Sequence, residues 1–169
     1  PVTLNLLNIN DFHGRIDDNT VKFAATVEQL RAEHGEGNTL FVSAGDNIGA
    51  SLFASSFEQD QPTLDVLNAL GLDASAVGNH EFDLGYDDLV GRVTDEADFS
   101  YLGANVYRKG TTTRALDEYA TCEVQGLTVA VIGAVTQETT TLVSPGGIAG
   151  LDFGDPVEAV NKVAAELTA

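Results

Sequence analysis

Short apolar runs alternate with amphipathic segments along the first hundred residues. Four runs have the apolar or alternating character of strands, and they cover residues 3–9, 39–44, 74–77 and 99–102. Helical periodicity predicts three helices between and after them, over residues 21–34, 63–70 and 86–93. Strands that alternate with helices are typical of βαβ units, so the pattern predicts an α/β domain.

The pattern changes in the second part of the chain. Residues 116–124 and 127–135 are two β-rich runs joined at Gln125-Gly126, which predicts a hairpin. Residues 144–147 form a loop rich in glycine and proline, and residues 155–167 are predicted to be a helix with Pro156 in its first turn. There is no internal repeat and no convincing linker, so a single domain is expected.

Composition agrees with a globular domain that has a sizeable core. The chain has 169 residues, 43% of them hydrophobic and 20% charged. No apolar stretch approaches the roughly 18 residues that span a bilayer, so no membrane span is predicted. The amino terminus shows no signal core. We expect an extracellular, periplasmic or cell-surface protein and leave a cytoplasmic location open.

The charge is strongly acidic, with 26 acidic against 8 basic residues and a formal net charge of −18. This balance argues against a nucleic-acid polymer or an anionic membrane as partner and suggests a secreted protein or a salt-loving source. Cys122 is the single cysteine, so no intrachain disulfide can form. It is interpreted as a small buried hydrophobe, and His34 as a cation at the end of a helix.

Polar side chains that could bind a metal follow three of the predicted strands. These groups are Asp11-Phe12-His13, Gly45-Asp46-Asn47 and Gly78-Asn79-His80-Glu81-Phe82-Asp83. The carboxyl ends of the strands in an α/β sheet are the usual place for a ligand site. Carboxylate, amide and imidazole groups suit hard or borderline divalent ions. The three groups together predict metal-assisted phosphoester hydrolysis.

Each group has a structural alternative when it is taken alone. Asp11 and His13 can converge on one ion from a turn, but a lone D-x-H arises often by chance. Asp46 could bridge two cations about 3.5–4 Å apart, or it could cap a helical turn that begins at Ile48. Asn79 would supply a neutral oxygen ligand, or it could be a helix cap.

His80 is too close in sequence to Asn79 to bind the same ion without strain. Its better use is to face the substrate as a general acid or as an imidazolium. Asp83 lies three residues further on and can accept the imidazole N–H, which would orient the ring and raise its pKa. The alternative is an ordinary core or turn histidine.

The order of the three motifs resembles the calcineurin-like metallophosphoesterases, and the last motif resembles their 5'-nucleotidase branch. The resemblance continues into residues 103–106 and 131–136. It implies that Asp11, His13 and Asp46 bind one metal and that Asp46 and Asn79 bind the second. It also implies that His80 and Asp83 form the catalytic pair, and that the fold is an α-β-β-α sandwich of two mainly β layers flanked by helices.

The same resemblance implies the reaction. Two divalent ions, which could be Mn, Zn, Fe, Co or Ni, would activate a water that attacks phosphorus. The implied substrates are nucleoside 5'-monophosphates, with nucleotide-sugars and 2',3'-cyclic nucleotides as near alternatives. The acidic protein would accept an anionic ester because the ions invert the local charge.

One departure from the family bears on the domain organisation. The family completes its metal centre with later histidines, including a G-H-x-H motif, and no histidine follows His80. We therefore expect residues 1–169 to be the first part of a catalytic domain, without its remainder and without a carboxy-terminal nucleotide-binding domain. The non-enzyme alternative is a degenerate phosphoesterase-like binding domain. Serine-hydrolase and dinucleotide motifs are absent from the sequence.

Overall fold

Four parallel strands form the central sheet. A computed structural model describes residues 2–168. The strands lie in the order β1-β2-β3-β4, with bounds Asn5–Ile9, Thr39–Ser43, Ala74–Ala76 and Ser100–Leu102. All four strands were expected from the sequence, and each is slightly shorter than its apolar run. Because the strands are parallel and in chain order, their carboxyl ends lie along one edge of the sheet.

Within residues 2–168, seven α-helical segments connect or follow the strands. They are α1 to α7, with bounds Thr20–His34, Phe53–Ser56, Gln61–Ala69, Tyr86–Asp88, Thr94–Glu96, Thr139–Leu142 and Pro156–Leu167. Two 3-10 turns cover Glu36–Asn38 and His80–Phe82. No helix within residues 2–168 is long and apolar enough to cross a bilayer.

The helix predicted over residues 86–93 is only partly right. The segment begins as α4, continues as a π-helical turn over Leu89–Val93 and ends as α5. The hydroxyl of Thr94 donates to the carbonyl of Leu89, 2.7 Å away and five residues earlier. A side chain that competes for a backbone acceptor in this way favours a wider turn over regular α-helix.

The main core lies against the sheet and beneath α1 and α3. Leu64 and Leu67 of α3 are completely buried, and Phe41 of β2 is 1% exposed. Phe23 of α1 packs on Phe41, with ring centroids 6.5 Å apart. Phe82, which lies within the last metal-ligand motif, is also completely buried and belongs to the same core. The loop that contains His80 is therefore anchored in the interior at Phe82.

The predicted hairpin is confirmed, with shorter strands than its sequence runs. It pairs β6, Tyr119–Val124, with β7, Leu127–Ile132. Gln125 and Gly126 adopt φ values of 52° and 75°, as a tight two-residue hairpin turn requires. Cys122 lies on β6 and is only half-buried, which corrects the expectation of a small buried hydrophobe.

A second antiparallel pair was not predicted. It joins β5, Val106–Arg108, to β8, Leu151–Phe153. Buried Asn105 holds this pair against the end of the hairpin segment: its side-chain amide donates to the carbonyls of Val135 and Gly154 at 2.7 and 2.9 Å. The N–H of Val135 donates back to the side-chain oxygen of Asn105 at 2.9 Å. One side chain thus connects three separate segments.

Helix α7 begins at a side-chain cap. The carboxylate of Asp155 accepts the N–H groups of Val157 and Glu158 at 2.8 and 3.1 Å, and Pro156 occupies the first helical position as expected. We expect Asp155→Ala to lower the free energy of unfolding by about 1 kcal/mol, because the cap is lost. Urea unfolding followed by circular dichroism measures this. Asp155→Asn retains a capping oxygen and should lose less, so equal losses for both variants would contradict the capping role.

Candidate metal centre

Three loops meet at the carboxyl edge of the parallel sheet. The loop after β1 is hydrogen-bonded to the loop after β2 along its length. Asp11 N–H donates to the carbonyl of Gly45 at 3.1 Å, and His13 N–H donates to the carbonyl of Asp46 at 3.0 Å. The first two motifs predicted to share a site are therefore joined by hydrogen bonds between their main chains.

Three candidate ligands have an unusual backbone conformation. Asp11, His13 and Asp46 have φ values of 51°, 47° and 53°. Residues other than glycine seldom adopt this left-handed region, and such residues cluster at functional sites. The ligand atoms of these three side chains all lie within 4.8 Å of one another. The structure thus brings together the set that the sequence predicts for one ion.

His13 is oriented for coordination by its second ring nitrogen. Its Nδ1 donates to the carbonyl of Gly49 at 2.9 Å, while its Nε2 lies 3.7 Å from a carboxylate oxygen of Asp11. A metal-ligating histidine usually donates its other N–H to a carbonyl or carboxylate in this way. Two carboxylates and one such imidazole are a donor set that suits borderline divalent ions.

Asp46 does not cap a helix, so that alternative is wrong. No helix begins at Ile48, and the next helix is α2. The Asp46 carboxylate instead accepts the backbone N–H of His80 at 2.8 Å. A Cβ at Gly45 would lie 2.5 Å from the backbone nitrogen of Gly78, and one at Gly78 would lie 2.3 Å from an Asp46 oxygen. Both positions therefore need glycine for the loops to approach this closely.

Asn79 lies at the start of the 3-10 turn that begins with His80. Its side chain makes no capping hydrogen bond, so the capping alternative is wrong for this residue as well. It is half-buried and follows Gly78, whose main chain contacts Asp46. Asn79 therefore lies between two residues whose main chains contact Asp46, and its role as a ligand of a second ion stays a prediction.

His80 and Asp83 form the expected hydrogen-bonded pair. The distance from His80 Nδ1 to the Asp83 carboxylate is 2.7 Å. Burial lowers the pKa of His80, but the hydrogen bond from Asp83 and the charges of Asp83, Asp46 and Glu81 outweigh burial and raise it overall. The His80 ring lies edge-on to the His13 ring, with centroids 4.8 Å apart. The pair thus borders the three-residue cluster.

Sequence reasoning missed the part played by Glu81. This carboxylate is 2% exposed and accepts three backbone N–H groups, those of Asp46, Asn47 and Gly78. Burial raises the pKa of Glu81 to about 7, although the three hydrogen bonds lower it. The available signal was a glutamate directly before the core residue Phe82, since charged residues are seldom fully buried without partners.

Asn47 was also missed as a supporting residue. It is completely buried, and its side chain bonds to the hydroxyls of Ser43 and Ser75 at 2.6 and 2.8 Å. These bonds fix the residue that follows Asp46 to both β2 and β3. No local pattern indicates such contacts, because Asn47 and Ser75 are far apart in the chain.

Comparison with known proteins identifies the family. Residues 4–166 match the calcineurin-like phosphoesterase family, which is nearly the whole chain. The chain belongs to this family. The expected resemblance is thereby confirmed, and with it the assignment of the chain to a family of metal-dependent hydrolases.

Individual relatives agree with the family. The chain is 37% identical over 195 residues to the endonuclease YhcR of Bacillus subtilis, covering 98% of this chain and 16% of that protein. It is 34% identical over 171 residues to a 5'-nucleotidase of Vibrio cholerae, covering 97% of this chain and 31% of that protein. The chain therefore spans less than a third of the length of these relatives.

A solved structure confirms the fold class. The NAD nucleotidase of Haemophilus influenzae superimposes with a TM-score of 0.80 at 25% identity, covering 98% of this chain and 32% of that one. The calcineurin-like phosphoesterase fold, expected from the motifs, is thus the fold of this chain. The Asp11, His13 and Asp46 cluster is its candidate metal site.

Proposed function

We propose that this chain forms part of an enzyme that hydrolyses phosphate esters with two divalent ions, and that its substrates are nucleoside 5'-monophosphates. The observation that supports this most is the cluster of Asp11, His13 and Asp46, with ligand atoms within 4.8 Å, beside the hydrogen-bonded pair of His80 and Asp83. A degenerate binding domain would have no need of both groups together.

In this proposal, Asp11, His13 and Asp46 hold one ion, and Asp46 and Asn79 contribute to a second. Divalent ions held there would lower the pKa of a bound water toward neutrality and would screen the negative charge of a phosphoryl group. Neighbouring residues orient the side chains that would bind the ions. Gly49 fixes the His13 ring, and the N–H of His80 fixes the Asp46 carboxylate. The ions also allow a protein of net charge −18 to accept an anionic ester.

His80 supplies the proton in this scheme. Its Nδ1 donates to Asp83, which leaves Nε2 free to face the ester oxygen that departs. The raised pKa keeps the ring protonated to a higher pH, so it can donate a proton or stabilise phosphoryl charge as an imidazolium. Asp83 holds the ring in this state and does not itself need to contact the substrate.

The substrate assignment is supported by relatives named as nucleotidases. The Vibrio cholerae relative is a 5'-nucleotidase, and the Haemophilus influenzae protein is an NAD nucleotidase. Nucleotide-sugars and 2',3'-cyclic nucleotides are the alternatives that share the same chemistry. The relative named an endonuclease adds a polynucleotide as a further candidate, which the acidic charge of this chain disfavours. The same charge is compatible with a secreted protein, and we propose a location outside the cytoplasm.

The test compares two lengths of protein. We expect residues 1–169 alone to bind divalent metal weakly and to hydrolyse nucleotide negligibly, because at most four candidate ligands are present and a two-ion site needs more. The full-length protein should do both. Calorimetric titration with Mn²⁺ and Zn²⁺ measures metal binding. Phosphate release from AMP, together with chromatographic detection of the products formed from a nucleotide-sugar, a 2',3'-cyclic nucleotide and single-stranded DNA, decides between the substrates. Tight binding of two ions with full turnover by residues 1–169 would contradict the first expectation.

A further inference from the structure

Glu81 joins the two loops that contain Asp46 and His80. Its Oε2 accepts the N–H groups of Asp46 and Gly78 at 2.9 and 2.6 Å, and its Oε1 accepts the N–H of Asn47 at 2.8 Å. The side chain is 2% exposed, so water does not compete for these bonds. A carboxylate has two oxygens with about four acceptor positions, and it can therefore satisfy three donors at once.

The loops leave no space for another arrangement. Gly45 and Gly78 lie so close together that neither position has space for a side chain. A Cβ at Gly78 would lie 2.3 Å from an Asp46 oxygen. The three N–H groups consequently point at the Glu81 carboxylate, which is shielded from solvent. Without an acceptor there, buried donors would be unsatisfied, and the loops would separate to reach solvent.

Asp46 is held from three directions. Glu81 accepts its N–H, its own carbonyl accepts the N–H of His13, and its side chain accepts the N–H of His80. Its φ of 53° lies in the left-handed region, which residues other than glycine seldom adopt. The direction of the Asp46 carboxylate toward Asp11 and His13 thus depends on the acceptor that fixes its main chain.

We propose that Glu81 is a positioning residue, which sets the spacing of Asp46 and His80 and through it the geometry of the metal centre. In this role it acts through the main chains of Asp46, Asn47 and Gly78. The proposal rests on the proposed function, because it assumes that Asp46 binds a metal ion. A positioning role and a purely structural role predict different results. If Glu81 positions the ligands, its replacement should lower metal affinity by more than the loss of stability alone would.

The first variant is Glu81→Gln in the full-length protein. Glutamine keeps the volume and one acceptor oxygen, but its NH₂ group faces N–H donors and cannot accept them. We expect the affinity for Mn²⁺, measured by calorimetry on the metal-free protein, to fall about 10- to 100-fold, the range found for residues that support metal ligands. We expect kcat to fall with it and KM for AMP to change little.

Val163→Ala is the matched control for stability. Val163 is 1% exposed in α7 and packs with Ala104, away from the loops of the site. This variant should lower the melting temperature and leave the affinity for Mn²⁺ unchanged. If Glu81→Gln lowers the melting temperature but binds Mn²⁺ as tightly as the parent protein, Glu81 is merely structural and the proposal is overturned.

Gly78→Ala tests the same spacing if Glu81→Gln does not fold. It keeps every N–H donor and leaves Glu81 in place, but its methyl group must displace the Asp46 carboxylate. We expect at least about a tenfold loss of Mn²⁺ affinity, comparable with Glu81→Gln. Unchanged affinity in Gly78→Ala would overturn the proposal independently.

Asp46→Asn separates this proposal from the proposed function. Mn²⁺ binding that is lost in Asp46→Asn but retained in Glu81→Gln and Gly78→Ala would overturn the positioning role alone. Mn²⁺ binding that is absent from the parent protein, or unaffected by Asp46→Asn, would overturn the proposed metal centre itself.

Discussion

Replacing Asp46 by asparagine is expected to abolish metal-dependent phosphoester hydrolysis in the full-length protein, with a loss of at least about 10³-fold in kcat. The substitution removes the charge that would bridge two ions and changes the volume little. Asparagine tolerates the left-handed backbone at this position, where φ is 53°. Its side-chain oxygen can still accept the N–H of His80, a bond of 2.8 Å in the structure. The fold should therefore be preserved.

The measurement is phosphate release from AMP over a range of Mn²⁺ concentrations, with the melting temperature determined in parallel. Asp95→Asn is a suitable control, because Asp95 is exposed on α5 and loses the same charge away from the site. The control should retain full activity. Near-normal turnover by Asp46→Asn at saturating metal would be incompatible with a bridging role for Asp46.

Replacing His80 by asparagine should lower kcat by about 10² to 10⁴, the usual contribution of an acid or base, while metal content stays unchanged. The backbone N–H that donates to Asp46 is retained, so the carboxylate of Asp46 keeps its partner. His34→Asn is the control, since His34 lies exposed in the last turn of α1. Loss of an ion on metal analysis of His80→Asn would show that His80 is a ligand and that the catalytic assignment is wrong.

The pH dependence gives His80 a second test. Asp83 raises the pKa of His80 through its hydrogen bond and its charge. If the protonated ring is the active form, activity falls as pH rises through this pKa. Asp83→Asn removes the charge, so this limb of the kcat profile should move to lower pH. The parent protein and Asp83→Asn are both measured with metal bound, so any effect of the ions on the pKa of His80 is the same in the two profiles. If this limb of the kcat profile stays at the same pH in Asp83→Asn, Asp83 does not support the function of His80.

The parts of the site that depend on local sequence pattern could be predicted from the sequence. Asp11, Asp46 and His80 each lie in the loop that follows a strand, and parallel strands bring their carboxyl ends to one edge. The spacing of Asp83 three residues after His80 was sufficient for their hydrogen bond. These features need only the order of strands and the geometry of a single turn.

Other features depend on contacts between distant segments and could not be read locally. Glu81 gains its three donors only when two loops meet. Strands β5 and β8 are three residues each and pair across more than forty positions, so neither has a periodicity to detect. The π-helical turn arises because one hydroxyl, that of Thr94, competes for a carbonyl.

The origin of the candidate ligands from separate loops has a consequence for folding. Asp11, His13 and Asp46 come from segments that the pairing of β1 with β2 brings together, and long-range pairings of this kind generally form more slowly than local helices. The unfolded chain offers no preformed site, so an ion captured by these three residues would add its binding free energy to the native state alone. Metal binding would then stabilise the sheet after it has folded and would not direct its folding.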